Sequence, residues 1–120
     1  MKSLLNAVVG NPIGAYVVLA FAAFLEVMGD ACFQSGLYKS TGVERAMWFA
    51  GGTAVLAFYG LFVNLPPWDF GKLLGVYVVL FFVVAQIVAK VRFGQTPTPP
   101  ILLGGAFIVV GGLVMTFWKG

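Results

Sequence analysis

A chain of 120 residues that is 61% hydrophobic and 9% charged cannot keep an ordinary folded surface wet, because soluble domains carry about 25% charged residues. Seven Lys/Arg against four Asp/Glu give a net charge of +3, scattered along the chain with no patch that would hold nucleic acid. With no histidine and with Cys32 as the only cysteine, the sequence excludes imidazole metal sites, Ser/His or Cys/His catalysis and an internal disulfide.

Residues 1–11 open with Lys2 ahead of Leu4, Leu5, Val8 and Val9, then break at Gly10-Asn11-Pro12. No small-x-small cleavage site fits before the next apolar run, so a signal peptide is not expected. This stretch is read instead as a short interfacial helix lying on the membrane surface. A crossing helix needs roughly 20 apolar residues to traverse about 30 Å of hydrocarbon. The rest of the chain has room for four of these and little else.

Span one is expected from about 13 to 37, entered through Pro12, a residue suited to the first turn of a helix. The polar run Tyr38-Lys39-Ser40-Thr41-Gly42-Val43-Glu44-Arg45 follows as a loop. Span two covers about 46–65 and stops at Pro66-Pro67, with Trp48 and Trp68 placed where an aromatic belt would hold them. Span three covers about 70–91. Pro97, Pro99 and Pro100 are expected to keep the next connection non-helical. Span four covers about 101–117. The expectation is an all-α membrane protein with one four-helix domain over residues 1–120.

Short loops make neighbouring spans antiparallel. The termini and second loop hold Lys2, Lys72 and Lys119, and the first and third loops hold Lys39, Arg45, Lys90 and Arg92. Orientation follows Lys/Arg asymmetry, and this near balance lets the chain insert either way up.

Four acids are present, and one is central to a span. Glu26 lies mid-way along span one, where an ionised carboxylate costs several kcal/mol unless it faces a cavity or a partner. Such an acid is suited to exchanging a proton for a cation. Asp30 is one turn further on, about 6 Å by helical rise, on the same face at i, i+4, and Gln34 continues the stripe. Asp30 either joins the site or sits hydrated or lysine-paired near the interface. Lys72, early in span three, either snorkels outward or turns in toward the acids. Tyr77, deeper in span three, and Tyr59 in span two are aromatic partners for a cation, a contact worth about 0.5–2 kcal/mol. In span four Gly104 and Gly111, and Gly105 and Gly112, recur every seven residues. Small residues let helices approach closely in lipid, which reads as a packing or dimer face.

Together these residues resemble the small multidrug resistance family of the drug/metabolite transporter superfamily. Leu25-Glu26-Val27-Met28-Gly29 is similar to its A/C-E-[VI]-[IM]-G stretch, and Phe93-Gly94-Gln95 to its F-G-[QE] linker between spans three and four. Gly104 and Gly111 match the seven-spaced glycines of the family's dimerising fourth helix. Leu65-Pro66-Pro67-Trp68-Asp69-Phe70-Gly71-Lys72 resembles the L-H-P-x-x-S-G-R of the YnfA-like branch, and Lys90 falls where that branch has a second basic residue. The resemblance implies an antiparallel, dual-topology homodimer in a bacterial inner membrane that exchanges protons for small organic cations at paired glutamates, Glu26 being the coupling residue. The chain departs from the family at Leu74-Gly75-Val76-Tyr77-Val78-Val79, which lacks one aromatic and the paired-glycine hinge of Y-x-x-[WY]-G/S-G, and Asp30 replaces a small or neutral residue. Those departures leave a second expectation, a flippase-like or accessory subunit for an amphipathic or lipid-linked substrate. No enzyme activity, metal or cofactor is expected. The expected partners are protons, a small cation, the bilayer and a second copy.

Overall fold

The computed structural model describes residues 12–118 of the chain. The interfacial helix expected over residues 1–11, with Lys2 and Lys119, lies outside the described residues. Among the described residues there are four helices: α1 (Pro12–Tyr38), α2 (Gly42–Val63), α3 (Phe70–Phe93) and α4 (Pro99–Phe117). All four are long and apolar enough to cross a membrane, and the protein is an all-α membrane protein.

Several boundaries move from those read in the sequence: α2 ends at Val63 and not near 65, α3 continues through Arg92 to Phe93 and not to about 91, and two helix starts come earlier. The segment Gly42–Arg45, expected as loop, is the first turn of α2. Gly42 takes a left-handed φ of 64°, a turn conformation that costs glycine little, and this frees the following residues to begin the helix. Arg45 then reaches back, its Nε donating to the Gly36 carbonyl at 2.9 Å and Nη2 to the Leu37 carbonyl at 3.3 Å. These carbonyls belong to the last turn of α1, which has no intrahelical partners for them. The second early start is at the prolines. Pro66, Pro67 and Pro97 lie in connections as expected, but Pro99 and Pro100 form the first turn of α4. A proline there loses no helical hydrogen bond, and its fixed φ suits the helix.

Gly94 terminates α3 at a left-handed φ of 66°. The Gly94 amide donates to the Lys90 carbonyl at 3.1 Å and that of Gln95 to Ala89 at 3.0 Å, a glycine C-cap that satisfies orphan carbonyls. This gives the middle residue of Phe93-Gly94-Gln95 a physical role.

The helices pack in the order α2–α1–α3–α4, with α4 resting chiefly on α3. The four helices measure 51 × 42 × 20 Å, so they form an open layer about two helix diameters thick and not a closed bundle. Glycines set the seams. A Cβ on Gly52 would lie 2.9 Å from the Phe33 ring, and one on Gly29 3.3 Å from the Gly52 carbonyl, so α1 and α2 approach backbone to backbone. Gly105 fits against Phe82 and Gly112 against Val79 between α4 and α3. One apolar core, Leu19, Ala22, Ala23, Val63, Leu73 and Tyr77, joins α1, α2 and α3 at the end nearest the α2–α3 connection.

Candidate cation and proton site

The packing brings span one's acidic stripe against α3 and the flank of α2. Glu26, partly buried, accepts a hydrogen bond at Oε1 from the Tyr77 hydroxyl at 2.6 Å. Tyr77 is 4% exposed and belongs to the apolar core, so its hydroxyl is positioned by packing on every side of the ring. Tyr59 stands beside it, ring centroids 5.9 Å apart, and Phe81 lies one turn along α3 at 6.2 Å. A carboxylate oxygen held by a charge-assisted hydrogen bond beside aromatic faces is an arrangement that can hold a cation or a proton in alternation.

Toward the α1–α2 and α3–α4 connections, a cleft of about 350 Å³ opens between α1 and α3, lined by Asp30, Gln34, Phe81, Ala85, Val88 and Gln95 among others. Asp30 and Gln34 are exposed on the surface of the single chain. The structure therefore brings Glu26, Tyr77 and Tyr59 together, and places Asp30 and Gln34 in the cleft that adjoins them. Lys72 lies elsewhere: its Nζ is 5.3 Å from the Trp68 ring centroid, at the end of the bundle beyond the apolar core.

The glycines of α4 divide. Gly105 and Gly112 are buried against α3 within the chain, which removes them from the surface a second copy could touch. Gly104 and Gly111 have open space where a Cβ would stand and remain available.

Four contributors escaped the sequence reading as parts of this region. Phe81 and Ala85 follow Tyr77 at i+4 and i+8, and extending that stripe would have found them. Gln95 enters the cleft only because Gly94 turns the chain back. Buried Ser35, 1% exposed, accepts from Arg92 Nη2 at 2.9 Å; no local pattern marks that contact, which joins residues far apart in the chain.

Four apolar helices with an acid and two tyrosines between them define a small polytopic membrane protein with a polar site inside its spans. The chain is similar to a UPF0060 membrane protein of Herpetosiphon aurantiacus, 25% identical over 107 residues that cover 87% of this chain and 94% of the relative. No family model matches the chain. No solved structure matches it either.

Proposed function

We propose that the protein is a proton-coupled antiporter that exports small organic cations across a bacterial inner membrane, working as a homodimer with Glu26 as the coupling group. The hydrogen bond from Tyr77 to Glu26 carries this reading, because it fixes a titratable acid in the membrane interior next to a cleft. The cation and the proton compete for the same carboxylate. Substrate binding expels the proton on one side, and protonation on the other side releases substrate.

The homodimer is supported by the open layer of helices. Asp30 and Gln34 are exposed on one chain, and polar groups facing acyl chains are costly. A second copy laid over this face would cover them and close the pathway, with Gly104 and Gly111 of α4 free for close helix contact. The near-balanced Lys/Arg distribution favours an antiparallel pair. The resemblance to the small multidrug resistance family favours the same pair, and the likeness to a UPF0060 membrane protein supports a membrane protein.

A second reading is favoured by one feature. α3 runs unbroken from Phe70 to Phe93, with Val78-Val79 where the family it resembles has hinge glycines, which suits a less mobile flippase-like or accessory subunit. Proteoliposomes under an imposed pH gradient separate the two. Wild type should concentrate a small cation against its gradient and Glu26→Gln should not. Equal accumulation by both would remove Glu26 from the mechanism and leave the second reading standing.

A further inference from the structure

On α1 the side chains of Phe24 and Met28 are separated from Glu26 by two residues, about 200° around the helix, and so belong to the opposite face. There a second hollow of about 510 Å³ runs between α1 and α3, formed by Phe24, Met28, Ile87, Val88, Val91 and, at its end, Arg92. Its walls are aliphatic and aromatic, and its head is a cation.

That cation is held in place. Arg92 Nη2 donates to the oxygen of buried Ser35, and the guanidinium lies 5.3 Å from the Trp48 ring centroid and 5.6 Å from that of Phe93. One guanidinium thus touches α1, α2 and the end of α3, while most of its five donors stay free for a ligand. Lys39 Nζ lies 4.6 Å from the same Phe93 ring, so two cations share one aromatic seat. Arg45 and Lys90 lie at the same end of the bundle, where Glu44, in the first turn of α2, is the acid beside them.

We propose that this groove is a site for one phospholipid with an anionic headgroup, its phosphate on Arg92 and Lys39 and an acyl chain along Phe24, Met28, Ile87 and Val91. Charge complementarity selects the occupant. A groove that is apolar at membrane depth and cationic at the interface matches a phospholipid end for end, and basic pockets between spanning helices are a recurrent form of headgroup site. A free anion would find the head of the groove but nothing to fill its length. The lipid would join α1 to α3 on the face away from Glu26, and the proposal does not depend on the transport reading.

The test titrates purified full-length protein in detergent with phosphatidylglycerol and with phosphatidylcholine of the same chains, reading bound lipid by native mass spectrometry and unfolding by thermal shift. Each cation near an anionic headgroup contributes about five-fold in affinity, so wild type should prefer phosphatidylglycerol by roughly 25-fold and Arg92→Gln by roughly five-fold. Ile87→Trp, which fills the groove and leaves the charges in place, should lower retention of both lipids. Inorganic phosphate should neither bind measurably nor raise the unfolding temperature. Equal retention of the two lipids by wild type overturns the proposal, as does full retention by Ile87→Trp or stabilisation by phosphate alone. Should Arg92→Gln fail to fold, the wild-type comparison and Ile87→Trp still decide it.

Discussion

The two ends of this bundle are built on opposite rules. At the α2–α3 connection, Leu19, Ala22, Ala23, Val63 and Leu73 close α1, α2 and α3 into an apolar plug. At the other end α1 and α3 part around a cleft of about 350 Å³ that carries Asp30, Gln34 and Gln95. Glu26 and Tyr77 lie where the rules meet, with the Tyr77 ring in the plug and its hydroxyl on the acid. Small residues explain the closure, since Ala22 and Ala23 let α3 come close; side chains with polar heads explain the opening, since they hold water or ligand better than they hold another helix. Under the transport reading proposed above, a pathway open toward one side and shut toward the other is what a carrier needs in one of its states.

The largest expected effect comes from breaking the junction itself. Glu26→Gln keeps the side chain's shape and removes its proton exchange, so cation accumulation driven by a pH gradient in proteoliposomes should fall to the passive leak, while Leu25→Ala stays near wild type. By linkage, acidification should weaken cation binding in wild type and leave Glu26→Gln unmoved. Tyr77→Phe removes one hydrogen bond to a charged partner, worth about 1.5–3 kcal/mol, and should cut cation affinity by roughly ten-fold or more. An unchanged affinity would separate the tyrosine from the site.

Accessibility sharpens the contrast between the ends. On a Cys32→Ser background, Ala85→Cys lies in the open cleft and Val63→Cys, at a position 3% exposed, lies in the plug. A small water-soluble maleimide should label the first more than ten-fold faster than the second. Similar rates would mean that the plug breathes as freely as the cleft.

Much of this was legible before any coordinates, and the reasons are local. Spans follow from runs of apolar residues, because hydrocarbon demands them, and Glu26 is conspicuous because a carboxyl in such a run needs a cause. The helix starts were less legible. Gly42–Arg45 looks like loop by composition, but Arg45 caps α1 only once α2 has begun to turn. Which seven-spaced glycines face α3 and which face outward could not be read from spacing, since Gly104 and Gly105 carry the same pattern and differ by about 100° of rotation. The Arg92–Ser35 contact and the open layer of helices are tertiary outcomes with no signature in any one segment.

That rotation gives a moderate, opposed pair of stability effects. Gly112→Val puts methyl groups into Val79 inside the chain, and Gly52→Val drives them into Phe33 and Cys32; overpacking of this kind costs about 1–3 kcal/mol. Unfolding in mixed detergent micelles should show the loss for both. Gly104→Val meets nothing within the chain and should leave unfolding of the isolated chain unchanged while weakening association, measured by energy transfer between labelled copies. If Gly104→Val unfolds the chain as readily as Gly112→Val, the division of α4 into inner and outer glycines is wrong.

The smallest effect expected is at Asp30, and its size is informative. Asp30 stands one turn beyond Glu26 on the same face and lines the open cleft, where water in the cleft screens its charge more than that of a buried group. Acting through such a medium, a carboxylate attracts a passing cation by on the order of 0.2–1 kcal/mol. Asp30→Asn should therefore lower the apparent affinity for a monovalent cation by about five-fold at most without abolishing accumulation, and the loss should shrink as salt is raised. A divalent cation with two separated charges should lose more, because only it can engage both acids. Should Asp30→Asn instead abolish transport as completely as Glu26→Gln, the two acids titrate as one unit, and the coupling chemistry extends from the junction into the open cleft.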